Sequence, residues 1–136
     1  MAISFDKALG NQATALELRV KRSQILSNNM ANAETPGFRA VDFEFGEVFD
    51  RNRTALQKIQ ATRADHLQTQ PGGPNSLRPD EVIFRDNDLA SLDGNKVSLE
   101  QERARFMENQ IRLNATNMFL SKRFSSLQKA LKGVNG

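Results

Sequence analysis

Hydrophobic residues recur at alternating spacings of four and three in two long segments of the chain, at about 5–32 and 98–132. This spacing keeps them on one stripe of a helix and is typical of a coiled coil. The stripe of the first segment consists of Leu9, Ala13, Leu16, Val20, Ser23, Ser27 and Met30. The stripe of the second consists of Phe106, Gln110, Leu113, Asn117, Leu120, Phe124, Leu127 and Leu131. We call the two stripes together the seam, and predict that the helices pair along it, antiparallel or in a mixed arrangement.

Each helix also carries hydrophobic residues away from the seam. Leu18 and Ile25 lie seven residues apart in the first helix, and Ile111 and Met118 do so in the second. A helix that packs against a single partner needs only one hydrophobic stripe. The pattern therefore predicts neighbours on more than one side of each helix.

The second helix has signals at both of its ends. Ser98 with Gln101 three residues later forms a capping box, which predicts that the helix begins there. Lys129 and Lys132 lie in the predicted last turns, where positive charge stabilises a helix, and Gly133 is expected to end the helix.

The region between the helices has a different pattern. Val41, Phe43 and Phe45 alternate with acidic residues, which predicts a half-buried strand, and a short helix is expected to follow at about 48–59. Residues 60–80 are polar around a Pro-Gly-Gly-Pro run, so we expect a flexible loop.

A second short strand is predicted at 81–85, and a tight turn at Asp93, Gly94 and Asn95 leads into the last helix. The fold class is therefore mainly α, a coiled-coil or helical-bundle rod domain with a small β-containing middle. The predicted parts are an N-terminal helix and turn at 1–37, the middle region at 38–96, and a C-terminal helix at 97–136.

Composition and charge limit the classes of function. The chain has 136 residues, of which 38% are hydrophobic and 7% aromatic, so one domain with a modest core is expected and hydrophobic surface is left for other chains. The net charge of +3 is divided between basic ends and an acidic middle, and the basic residues of the last helix are spread around it. A nucleic-acid-binding protein concentrates Lys and Arg on one face, so no nucleic-acid partner is predicted.

The chain contains no cysteine, which excludes a disulfide and a thiolate metal site. No run of 18 apolar residues occurs, so direct membrane insertion is not expected, and the N-terminus lacks the pattern of a cleavable signal peptide.

The sequence offers little for catalysis. His66 is the single histidine and lies in a polar stretch, which is typical of a surface residue. Asp86, Asp88 and Asp93 lack the glycine and the distal glutamate of a calcium loop. We predict no enzyme activity, no metal site and no cofactor.

The most informative stretch ends the first helix. Pro36 disfavours helical dihedral angles at Thr35, and Gly37 readily adopts the positive φ that a type II turn requires. Asn29 and Asn32, together with Asn28, can either cap the helix end or bind a neighbouring chain. Because a cap needs one amide and three are present, we favour contacts with neighbouring subunits over an ordinary cap and turn.

This stretch resembles the N-terminal signature of the bacterial flagellar rod and hook protein family. The matching residues are Ser27, Asn29, Met30, Ala31, Asn32, Ala33, Thr35, Pro36, Gly37 and Phe38. The run Asp93-Gly94-Asn95 after Ser91-Leu92 is similar to that of the proximal rod members. The resemblance covers both ends of the chain and is weak between about 47 and 80.

The resemblance implies a structural subunit of the basal-body rod, which spans the periplasm. The subunit would leave the cytoplasm by flagellar type III export, without a cleavable signal peptide. The implied partners are further copies of the chain, other rod proteins, the MS ring with its rod-ring adaptor, and the export gate. The alternative function is that of a cytoplasmic coiled-coil adaptor or a nucleic-acid-associated protein.

Overall fold

Two long antiparallel helices form the frame of the molecule. The computed structural model describes residues 5–61, 77–85 and 97–133. Helix α1 comprises Phe5–Ala31 and helix α3 comprises Leu99–Gly133, with the shorter α2 (Phe45–Ala61) between them in the chain. Asn29 near the end of α1 contacts Glu102 near the start of α3, whereas Arg19 contacts Thr116 further along. The two helices therefore run in opposite directions, and the prediction of a mainly helical rod domain is confirmed.

The helix boundaries follow the predicted signals closely. The backbone N–H of Gln101 donates to Ser98 Oγ at 3.4 Å, which is the predicted cap of α3, and Gly133 is its last described helical residue. After α1, the Phe38 N–H donates to the Thr35 carbonyl at 3.1 Å, and Gly37 has φ of 75°. The Pro-Gly turn therefore has the predicted form.

The middle region is more helical than predicted. The expected strand over Val41, Phe43 and Phe45 is reduced to β1 (Val41–Asp42), because the Phe43 N–H bonds the Asp42 side chain at 2.9 Å and α2 begins at Phe45. The alternating hydrophobic residues therefore lie where a helix begins, and they do not form one face of a strand.

The second predicted strand, at 81–85, is also shorter in the structure. It is β2 (Ile83–Phe84), which follows a 3₁₀ turn at Pro79–Glu81 and pairs antiparallel with β1, Val41 opposite Phe84. Helix α2 extends to Ala61, into the predicted loop at 60–80. Most of that loop, like the turn at Asp93, Gly94 and Asn95, lies outside the described residues.

The hydrophobic core consists of two small clusters around α1. In the first, Leu18, Phe43 and Val48 are buried, with Ile25 among the residues packed on them. Leu18 and Ile25 are the pair predicted to need a neighbour away from the seam, and that neighbour is the middle region. The second cluster joins residues on both sides of the Pro-Gly turn, Ala33 before it and Ala40 after it, to Val97, with Phe38 and Leu99 packed against them.

Candidate functional site

Asn29, at the centre of the signature stretch, is fully buried inside its own chain. Its Nδ2 donates to the Val41 carbonyl at 2.7 Å and to Glu102 Oε2 at 3.0 Å, and its Oδ1 accepts the Val41 N–H at 3.1 Å. The side-chain amide thus bonds both backbone groups of Val41, as a neighbouring strand would. In the structure Asn29 therefore joins the end of α1 to β1 and α3, whereas the sequence analysis favoured contacts with other subunits.

Two buried carboxylates surround this amide, and arginines neutralise both. Glu102 is fully buried and binds Arg85 and Arg105, each at 2.9 Å. Asp42, 5% exposed, receives two hydrogen bonds from Arg22, at 3.1 and 3.0 Å. Buried charges of this kind persist only when they are paired and hydrogen-bonded.

Arg85 connects the two carboxylates. It lies 2.9 Å from Glu102 and 3.5 Å from Asp42, and its backbone N–H donates to the Ala40 carbonyl at 2.8 Å. We call Arg22, Asn29, Asp42, Arg85, Glu102 and Arg105 the ionic cluster. Since its members come from α1, β1, α3 and the residue after β2, the cluster fixes the turn and the small sheet onto the helix pair.

The remaining signature residues divide into inward and outward sets. Ala33 is buried and Phe38 packs next to it, whereas Ser27, Ala31, Thr35, Pro36 and Gly37 are exposed. Asn32 acts as a local cap, because its Nδ2 donates to the Asn28 carbonyl at 2.9 Å and to Asn28 Oδ1 at 3.0 Å. The three amides therefore perform different tasks, one in the interior and two at the helix end.

The seam is polar where the two helices approach each other. Asn109 donates to the Arg19 carbonyl at 2.9 Å and to Ser23 Oγ at 2.8 Å, and Gln110 donates to the same oxygen at 2.9 Å. Ser23 and Gln110 are both predicted seam residues. The hydrophobic seam residues are half-buried at Leu9, Leu16, Phe106, Leu113, Leu120 and Leu127, and exposed at Val20, Phe124 and Leu131.

Arg19 completes this polar contact. Its Nε donates to Thr116 Oγ1 at 3.2 Å, and its guanidinium lies over the Phe45 ring, 4.6 Å from the centroid. Partial burial, with the nearby positive charges of Arg112 and Arg22, lowers the pKa of Arg19. The side chain thus joins α1, α2 and α3.

Large hydrophobic side chains remain exposed on α3. Met107, Ile111, Met118 and Phe119 are each more than 60% exposed. An open groove of about 560 Å³ runs beside α1 and is lined by Ser23, Gln24, Ser27, Asn28, Ala31 and Phe106. Several of these lining residues belong to the seam or to the signature.

Across 5–61, 77–85 and 97–133, no group of three potential metal-ligating side chains occurs. None of the helices in the described part of the chain is long and apolar enough to cross a membrane. His66, Asp86, Asp88 and Asp93 lie outside the described residues.

Sequence reasoning missed most of the ionic cluster. The sequence places Glu102 only near the start of the predicted C-terminal helix, and Arg85 and Asp42 only in predicted strands. A signal was present in Asp42, because it follows the turn and lies between hydrophobic residues in a stretch predicted to be half-buried. Nothing local indicated that Arg85 would be its partner, since that contact joins residues distant in the chain.

The chain is similar over nearly its whole length to several known proteins, although no protein-family model matches it. The flagellar basal body rod protein FlgB of Aeromonas hydrophila is 38% identical to it over 140 residues, which cover 98% of each chain. The protein of the same name from Cereibacter sphaeroides is 37% identical over 129 residues, covering 95% of this chain and 97% of the relative. That of Escherichia coli K12 is 33% identical over 141 residues, covering 99% and 100%.

Proposed function

Since this chain belongs to the family of the flagellar basal body rod protein FlgB, we propose that it is a structural subunit of the proximal rod, the part of the drive shaft nearest the MS ring. The observation that carries the proposal is the similarity to rod proteins over 95% or more of the chain. The comparisons give no support to a cytoplasmic adaptor or a nucleic-acid-associated protein.

The architecture supports a mechanical role. The antiparallel helices provide an elongated element, since α3 with 35 residues is about 50 Å long at ~1.5 Å per residue. The ionic cluster supports rigidity of the end that carries the turn and the sheet. We propose that the segments 1–37 and 97–136 pack with those of neighbouring subunits, and that the segment 38–96 lies between adjacent copies. The proposed role includes no catalytic step.

The proposed partners are other rod proteins and further copies of the chain, with the MS ring and the rod-ring adaptor at one end. We propose that the flagellar type III export gate delivers the subunit to a rod that spans the periplasm. In this proposal the signature residues and Asp93, Gly94 and Asn95 contribute to assembly, and the half-buried hydrophobic residues of the seam hold the helix pair together.

Localisation together with a deletion tests this function. Cells that lack the chain should be non-motile and should contain MS rings without rods, as seen by electron cryo-tomography, and the chain supplied on a plasmid should restore both. Immunogold label against an epitope-tagged chain should lie at the base of the flagellum. Normal rods in the deletion strain, or label confined to the cytoplasm, would contradict the proposal.

A further inference from the structure

The exposed side of α1 carries a regular stripe that the chain itself does not cover. Its members are Glu17, Val20, Gln24, Ser27, Ala31 and, just beyond the helix end, Glu34, all of which are exposed. They follow the alternating spacing of three and four that a packed helix face requires. We call them the α1 outer stripe. Its central residues are small, and Gln24, Ser27 and Ala31 line the open groove of about 560 Å³.

A second regular stripe lies on α3. Its members are Ala104, Met107, Ile111, Asn114, Met118 and Ser121, all exposed, with the same alternation of three and four. We call them the α3 outer stripe. Met107 is 67% exposed, Ile111 69% and Met118 62%, and large hydrophobic side chains so placed in a row are unusual on a helix that faces only water. Arg103 and Lys122 flank the stripe and are exposed as well.

The two stripes match position by position when they are set antiparallel. The small residues Ser27 and Ala31 then lie opposite the large Ile111 and Met107, and Gln24 lies opposite Asn114. Val20 meets Met118 in the same register. A small residue opposite a large one, and a polar one opposite a polar one, is the arrangement that packs two helices closely.

The charges match in the same register. Glu17 comes next to Lys122 and Glu34 next to Arg103, so an acid meets a base at each end of the contact. Among the described residues, no ion pair within the chain engages any of these four side chains. Complementary charges of this kind fix the register of an interface and disfavour other pairings.

The stripes cannot meet within one molecule. Asn109 faces α1, and Ile111, two residues further along α3, points to the opposite side of the helix because each residue turns it by about 100°. Because α1 and α3 are antiparallel within the chain, two copies that stand side by side in the same orientation bring α1 of one antiparallel to α3 of the next. Such a contact uses different surfaces on its two sides, so it can be repeated from copy to copy in a ring or a helical assembly.

We propose that the α3 outer stripe of one subunit docks along the α1 outer stripe of a second copy of this chain, with Ile111 against Ser27. The proposal rests on the proposed function and names the lateral contact between subunits of the rod. Two of the exposed signature residues, Ser27 and Ala31, are thereby assigned to this contact, and their small size allows close approach of the second helix.

Disulfide cross-linking tests the contact directly, because the chain has no cysteine of its own. In the variant with both Ser27→Cys and Ile111→Cys, oxidation of purified basal bodies should produce covalent multimers of the chain. The control variant pairs Ser27→Cys with Ser125→Cys, which is displaced by about 20 Å along the same helix. We expect at least about tenfold more multimer from the first variant. Equal yields, or cross-links only to a different protein, would overturn the stripe pairing while leaving the rod function intact.

Charge reversal supplies a second, independent test. Reversing one stripe (Glu17→Lys with Glu34→Lys, or Arg103→Glu with Lys122→Glu) places like charges together at both ends and should reduce the number of complete rods at least about tenfold. Reversing all four residues in one chain should restore the number of complete rods to at least half of that in the unmodified strain. The two single-stripe reversals change the net charge in opposite directions, so a loss of rods with both of them cannot be an effect of net charge.

Complete rods with either single-stripe reversal, or failure of the fourfold variant to restore them, would overturn the contact. Helicity of each purified variant, measured by circular dichroism, should be unchanged because all four residues are exposed. Absence of the unmodified chain from basal bodies would instead contradict the proposed function itself.

Discussion

At the scale of single residues, the amides of the signature differ in burial and therefore in energetic weight. Asn29 bonds both backbone groups of Val41 and a buried carboxylate, while Asn32 bonds only exposed groups of Asn28. Asn29 thus contributes to stability through hydrogen bonds in the interior, whereas Asn32 contributes through exposed hydrogen bonds at the helix end.

We predict that Asn29→Ala lowers the free energy of unfolding by about 2–4 kcal/mol, because it leaves the half-buried Val41 N–H without its acceptor and the buried Glu102 without one donor. Asn32→Ala should cost less than about 1 kcal/mol, since water replaces the lost bonds. Urea unfolding of the purified variants measures both. Similar costs for the two substitutions would show that Asn29 is not buried as described.

Glu102 should be the most sensitive residue of the ionic cluster. Glu102→Gln puts a neutral amide beside Arg85, whose side chain is only 15% exposed, and we expect a loss of about 3–5 kcal/mol in the free energy of unfolding. Glu108 forms an exposed pair with Arg112 at 2.6 Å, so Glu108→Gln is a matched control that should change stability by less than about 0.5 kcal/mol. Thermal unfolding followed by circular dichroism would separate the two, and a small effect at Glu102 would contradict its role.

The Pro-Gly turn allows a prediction that depends only on backbone conformation. Gly37 has φ of 75° and no atom within 4 Å of a Cβ built there, so Gly37→Ala should destabilise the chain by about 1 kcal/mol through backbone strain alone. Gly133 also has open space but is not in the positive-φ region, and Gly133→Ala should be neutral or slightly stabilising. Equal shifts in the urea midpoint for the two variants would contradict this reading of the turn.

At the scale of elements, the helices could be predicted from sequence because their signals are local. The spacing of hydrophobic residues and the cap at Ser98 placed the ends of α1 and α3 within a residue or two. The strand over Val41, Phe43 and Phe45 was predicted too long, because these phenylalanines pack at the start of α2, where Phe43 stacks on Phe45 and Phe45 stacks on Phe49. Alternation of hydrophobic residues alone does not distinguish a strand from the start of a helix.

The ionic cluster could not be predicted for a different reason. Apart from the local pair of Arg105 with Glu102, its contacts join residues 17 to 73 positions apart, such as Arg85 with Glu102 and Asn29 with Glu102. Sequence spacing shows which residues share one helix face, but it does not show which charged residue of a distant segment will lie beside them. The same holds for Asn109, whose contact with Ser23 depends on the register of two helices.

Helix α3 should be unevenly protected from amide exchange in the monomer. Its first part contacts α1 as far as Thr116, whereas every residue at 121–133 except Leu127 is exposed. We expect exchange at 121–133 to be at least about tenfold faster than at 102–116, because helix ends without packed neighbours fray. Mass spectrometry of the purified monomer would measure this, and uniform protection along α3 would contradict it.

At the scale of the whole molecule, the seam should determine whether subunits enter a rod. Leu120→Asp places a carboxylate on the half-buried side of α3 and should cost several kcal/mol, enough to abolish rod assembly and swimming. Arg112→Ala, on the exposed flank, should leave swimming on soft agar almost unchanged. Normal swimming of the Leu120→Asp strain would show that the seam is not required.

The polar contacts between α1 and α3 have a mechanical consequence. Hydrophobic side chains attract without direction, so a purely apolar pair of helices resists separation more than it resists sliding. Hydrogen bonds are directional, and those from Asn109 to Ser23 and from Asn29 to Glu102 are lost if one helix shifts by a turn. Two helices that cannot slide past each other bend and twist together as a single, thicker element. The pair therefore gains torsional stiffness from residues that contribute little hydrophobic burial.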